Sequence, residues 1–223
     1  MDTFSVERNA GVEVGLRARL RPGVGSASSS NNGTWIFQVG EDPSKPGWAT
    51  WNLDWSVNVN FDGSNSIDTD LDDFTYVIWG EEVGGGNGSF DPIVLPTNPV
   101  DKLRLACAGN SFGDNSTAPG GGVEVNCAPG NLDNAVNDYQ NLLDTSIVVQ
   151  NSWNLGMVNS LIPGAFDPNK AATYNFELAA LDGNGNQVAR TGVTVQVVPE
   201  PGPLALLGLS LAGLGWMRRR SLA

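Results

Sequence analysis

Tyr174-Asn175-Phe176-Glu177-Leu178-Ala179-Ala180-Leu181 runs through Asp182-Gly183-Asn184-Gly185-Asn186 into residues 188–198, and this stretch decides the fold. Tyr174, Phe176, Leu178 and Ala180 alternate with polar or small residues, and so do Val193, Val195 and Val197. A period of two marks a strand with one buried face. A Gly/Asn-rich loop between two such strands predicts a hairpin.

Outward from it the same pattern recurs. Residues 48–61 put Leu53, Trp55, Val57, Val59 and Phe61 on one face and Asp54, Ser56, Asn58 and Asn60 on the other. Residues 4–20 alternate through Val12, Val14, Leu16, Ala18 and Leu20 and read as one half-buried strand. Residues 35–39, 74–79 and 147–153 read as strands, and 102–106 as a short one. Pro/Gly/Ser/Asn-rich segments at 22–33, 40–47, 62–65 and 84–88 read as loops and turns. Pro92, Pro96 and Pro99 make residues 91–100 irregular or edge-like. Residues 132, 135, 136, 139, 142 and 143 are apolar at helical spacing, so one short helix starts at Gly130 or Asn131. At least eight strands without an internal repeat predict an all-β chain. Residues 1–197 are expected to form an antiparallel β-sandwich or jelly-roll-like domain with one short helix.

Composition narrows the chemistry. The chain has 223 residues, a net charge of −12 and 16% charged residues. An acidic surface repels phosphate backbones, which argues against nucleic acid as a partner. There is no histidine, which removes the commonest general base, the Ser-His and Cys-His nucleophiles and most zinc sites. Cys107 and Cys127 are the only cysteines and form no Cys-x-x-Cys motif. A disulfide closing that Gly-rich loop fits best and implies an oxidising compartment. The Met1-Asp2-Thr3-Phe4 start has neither a basic nor an apolar region of a signal peptide. The expectation is a truncated gene start.

The tail reads as an address. Val198-Pro199-Glu200-Pro201-Gly202-Pro203 precedes an apolar run at 204–217, followed by Arg218, Arg219 and Arg220. As a helix, the 14-residue run is about 21 Å long, short of the about 30 Å of a bilayer core. It is apolar all round, unlike a surface helix. A transmembrane helix over about 203–217 is therefore expected, with the arginines as a cytoplasmic stop signal.

This arrangement resembles the PEP-CTERM sorting tail of exosortase-dependent proteins in Gram-negative bacteria; the same tail is also named the ice-binding protein C-terminal domain. Ice binding is not inferred, because the tail would sit in the membrane. The resemblance implies transient residence in the inner membrane, cleavage near Pro199-Glu200-Pro201 by an exosortase, and release to the cell surface or exopolysaccharide matrix. The catalytic residues would belong to the exosortase. The pair of prolines fits a cut site, since they stop helix continuation and keep the segment extended.

Other constellations are weaker. Asp68, Asp70, Asp72 and Asp73 alternate like calcium ligands, but Asp73 and Trp79 stand where an EF-hand needs Gly and Glu. A looser calcium site and a solvated acidic turn are the two readings left. Asp182, Asn184 and Asn186 read better as a turn. Trp48 and Trp51, beside a Pro/Gly turn, are candidates to stack on sugar rings from a sheet edge, although tryptophans also fill cores. Glu81-Glu82 and Asp72-Asp73 are the acidic pairs a glycan hydrolase would need. The leading expectation is an exported, non-enzymatic protein without a cofactor. A carbohydrate-binding module is the alternative and a hydrolase the third reading.

Overall fold

The computed structural model describes residues 3–23, 29–31, 33–66, 68–84, 93–95, 102–157 and 166–199. In chain order the strands are β1 (Ser5–Asn9), β2 (Val12–Leu20), β3 (Ser29–Asn31), β4 (Thr34–Gln38), β5 (Glu41–Asp42), β6 (Lys45–Ala49), β7 (Trp51–Asn58), β8 (Thr75–Glu82), β9 (Ile93–Leu95), β10 (Ser111–Gly113), β11 (Val148–Trp153), β12 (Ala172–Leu181) and β13 (Gln187–Val198). Among the described residues, two helices, α1 (Lys102–Ala106) and α2 (Leu132–Leu143), and a 3-10 turn at Leu71–Asp73 complete the elements. The chain is mostly β, and its sheets are open rather than closed into a barrel.

The strands form a five-stranded sheet in the order β1-β2-β7-β11-β10 and a six-stranded sheet in the order β3-β4-β13-β12-β8-β9. A small β5-β6 ribbon stands apart from both. One apolar cluster joins the inner faces of the two large sheets. Trp51 of β7 stacks on Phe37 of β4, with ring centroids 5.5 Å apart, and lies edge-on to Phe176 of β12 at 6.3 Å. Offset and edge-on arrangements suit the ring quadrupoles and add to the burial of large apolar area.

The β12–β13 hairpin forms as the sequence predicts. Its loop is held by Asp182, whose carboxylate accepts from the backbone N–H of Asn184 and Asn186 and from the Asn186 amide at 2.8–3.0 Å. These bonds, that from the Asn186 side chain foremost, hold the Asp182 carboxyl below its ordinary range. The acid and amides thus serve the turn. The helix over 132–143 also forms where predicted, burying Ala135, Tyr139 and Leu143. Tyr139 meets Phe112 edge-on at 5.7 Å.

Four expectations need correction. Residues 4–20 are a hairpin and not one strand: Ala10 and Gly11, both with positive φ (48° and 76°), reverse the chain between β1 and β2. Two residues with φ > 0 are what a tight hairpin matching the strand twist requires. Residues 102–106 are helical, since five residues carry too little periodicity to separate the two states. The 22–33 and 40–47 loops contain paired segments, β3 and the β5–β6 ribbon. The architecture is not purely antiparallel, because β13 pairs β4 in parallel from Thr194↔Thr34 to Val198↔Gln38.

Among the described residues no helix is long and apolar enough to cross a membrane. The helix expected over 203–217 lies outside the described residues.

Candidate functional site

The segment expected to carry the sorting tail begins where the sheet ends. β13 is an interior strand, with β12 on one side and β4 on the other. Its last residue, Val198, is still tied in, because its carbonyl accepts from the Val39 N–H at 2.9 Å. Gly40 N–H in turn donates to the Pro168 carbonyl at 2.9 Å. Pro199, the next residue, is exposed and outside the strand. Proline has no N–H to continue the ladder, so the pairing stops there for a chemical reason. Folded sheet and motif are therefore contiguous, with no spacer. Glu200, Pro201 and Arg218, Arg219 and Arg220 lie outside the described residues.

Cys107 and Cys127 form the expected disulfide, with Cα atoms 5.7 Å apart. It ties the end of α1 to the segment leading into α2. The enclosed chain lies against the five-stranded sheet: β10 pairs β11, and Gly122 N–H donates to Ser111 Oγ at 2.9 Å.

The acidic run at 68–73 does not assemble as a metal site. Among the described residues no three or more carboxylates, thiols or imidazoles are grouped to hold a cation. The acids cap the 3-10 turn instead. The Asp72 N–H donates to Asp70 Oδ1 at 3.1 Å, and the Asp70 N–H donates to Asp73 Oδ2 at 3.2 Å. This reciprocal pair is a capping box. Desolvation, then the neighbouring Asp73, Asp144 and Asp72, raise the Asp70 carboxyl above its ordinary range.

Trp51 is a core residue, 1% exposed, and cannot meet a sugar. Trp48 is half-buried on β6. Lys45 Nζ lies 4.2 Å and the Arg21 guanidinium 5.0 Å from its ring centre, so cations flank the ring. The pair expected as a stacking platform is therefore split between core and surface, because Thr50 and Trp51 turn the chain from the ribbon into the large sheet. Glu81 and Glu82 are likewise separated. Glu82 is buried on the inner face with Lys170 Nζ at 2.6 Å, while Glu81 is exposed and accepts from Asn175 Nδ2 at 3.0 Å. Neighbours on a strand point to opposite faces, so this pair cannot flank one glycosidic bond. Asp72 and Asp73 lie in the capped turn.

Two clefts were not anticipated. One, of about 490 Å³, crosses the outer face of the six-stranded sheet beside Trp79, Glu81, Asn175, Glu177 and Arg190. Arg190 pairs with Glu177 and covers the Trp79 ring, its guanidinium 4.8 Å from the ring centre. The other, of about 400 Å³, lies between the disulfide-held segment and the outer face of the five-stranded sheet. Its floor holds Asp54, which is 5% exposed. Asp54 Oδ2 accepts from Arg17 Nε at 2.9 Å and Arg19 Nε at 2.7 Å, and Oδ1 accepts from Ser152 Oγ at 2.6 Å. The alternation of β2 carries the signal for this cleft: Arg17 and Arg19 occupy the polar face opposite Leu16 and Ala18. It becomes legible only when the register Arg17↔Asp54 is known.

No curated protein matches the chain. Residues 197–220 match the family model of the PEP-CTERM protein-sorting motif, a match that begins at the last two residues of β13.

Proposed function

We propose that this chain is an exported, non-enzymatic β-sandwich protein, held briefly in the inner membrane by its tail. An exosortase then cuts near Pro199-Glu200-Pro201 and frees the domain to the cell surface or extracellular matrix. The observation that carries this reading is the match of residues 197–220 to the sorting motif, which begins at the last two paired residues of β13. Among the described residues, none beyond Val198 belongs to a strand or to the core, so a cut there leaves the described fold whole. The disulfide supports an oxidising destination. The tail is the expected membrane segment, with Arg218, Arg219 and Arg220 retained on the cytoplasmic side. The non-enzymatic reading is supported by the absence of histidine and by the opposed faces of Glu81 and Glu82.

The test is replacement of Pro199, Glu200 and Pro201 together by alanine in a cell that contains an exosortase. The expected outcome is accumulation of the uncut, membrane-bound chain. Unchanged release of a shortened protein would refute the proposal.

A further inference from the structure

We propose that the short link to the tail holds one end of the fold, the end at which β13 finishes, against the bilayer surface, with the β5–β6 ribbon among the lipid headgroups. This inference rests on the membrane reading above and adds to it the surface that meets the lipid.

The link is short. The Val198 carbonyl still accepts from the Val39 N–H at 2.9 Å, and the apolar run starts at Leu204. Between them lie only Pro199-Glu200-Pro201-Gly202-Pro203. Fully extended, such a link spans at most about 18 Å. Its three prolines favour the polyproline II form, which gives about 16 Å. The headgroup layer takes up about 5–7 Å of that. The paired end of β13 therefore stays within about 10–13 Å of the outer boundary of the headgroups. The β5–β6 ribbon follows the end of β4 and precedes the start of β7, past the last pairs Val198↔Gln38 and Leu20↔Trp51. It occupies the side of the fold that this gap faces.

What this end presents suits a headgroup layer. Three of the large apolar side chains that stand exposed are grouped here: Val198, Val83 and Met157. The Val83 N–H donates to the Thr173 carbonyl at the start of β12. Met157 follows Gly156, which lies so close to the ribbon that a side chain there would strike the Gly47 carbonyl. Trp48 is half-buried on β6, with Lys45 Nζ 4.2 Å from its ring centre. An indole beside a lysine is amphipathic, and both residue types are at home at membrane–water interfaces. The ribbon's acids are engaged within the protein: Asp42 pairs with Arg21 at 2.6 Å, and Glu41 accepts from Asn169 Nδ2 at 2.8 Å. The β12–β13 loop lies at the other end, the 12 residues of β13 away, or about 36 Å. That loop carries Asp182, Asn184 and Asn186.

The experiment places a nitroxide label on Lys45→Cys or on Asn184→Cys of the full-length chain, reconstituted in phosphatidylcholine vesicles that contain a nickel-chelating lipid. Relaxation of the label by the nickel headgroups is expected to be at least about threefold stronger at position 45 than at position 184. A spacer of about 30 Gly/Ser residues between Val198 and Pro199, which adds about 30 Å of mean reach, should remove most of that difference. Equal relaxation at the two positions, or a difference that survives the spacer, would overturn this inference alone. A chain that does not float with the vesicles would refute the membrane reading and this inference with it.

Discussion

Asp70 shows how one side chain can serve the fold at an electrostatic cost. Its carboxylate accepts the Asp72 N–H, yet desolvation and three neighbouring aspartates raise its pKa. A raised pKa means that the ionised form is disfavoured in the native state, so the penalty is full at neutral pH and disappears as pH falls through the raised value. Asparagine keeps the capping oxygen without the charge. Asp70→Asn should therefore raise the melting temperature at pH 7, with the gain vanishing near pH 3; thermal scans at both pH values check this. Asp42, Asp114 and Asp182 have the opposite sign. Hydrogen bonds from Ser44, Ser116 and Asn186 respectively are the leading causes that depress them. Their contribution is present above the ordinary carboxylate range and is lost as pH falls through the depressed values. Ala10 is a second residue-scale case. It is exposed, and its φ of 48° lies in the left-handed region that an L side chain enters at a cost. Ala10→Asn gives the Asn-Gly pair that tight hairpins prefer. It should stabilise the protein by about 0.5–1 kcal/mol, measured by denaturant midpoint.

At the scale of elements, the disulfide-held segment is the piece most dependent on one bond. It lies against the sheet through short β10 and through Phe112, which meets Tyr139 of α2. Loss of the cross-link in Cys107→Ser with Cys127→Ser frees the loop in the unfolded chain and should cost about 3 kcal/mol. Hydrogen exchange should show the loss of protection concentrated in residues 107–127. A uniform loss across both sheets would contradict that picture. Elements with strong local pattern were legible in the sequence: the β12–β13 hairpin, the long β7 face and α2 all form from alternation or helical spacing alone. The β1–β2 turn was not, because Ala10 is no turn former and Val6 and Val12 keep the apparent period across it. Lys102–Ala106 was too short for its period to decide. The parallel β4–β13 pair depends on two segments far apart in the chain, which no local pattern reports. The same limit hid the cleft over Asp54, whose residues come from β2, β7 and β11. Trp51 illustrates the reverse error. Its neighbours Pro46 and Gly47 suggest a surface turn, yet the chain enters the large sheet at that residue and buries its ring.

At the scale of the whole molecule, the described fold ends where the sorting match begins. Every buried apolar residue of the described core lies at or before Val197, and the sorting match begins at that residue. β13 is paired on both sides, with β12 and with β4. The net charge of −12 favours solubility, which fits the proposed export. One measurement bears on this arrangement most directly: intact-mass and C-terminal peptide analysis of the protein recovered from the cell surface or medium. Export with exosortase cleavage requires a chain that ends close to Pro199-Glu200-Pro201, lacks residues 204–223 and keeps the Cys107–Cys127 bond. Recovery of the chain outside the cell with Arg218, Arg219 and Arg220 still attached would contradict it.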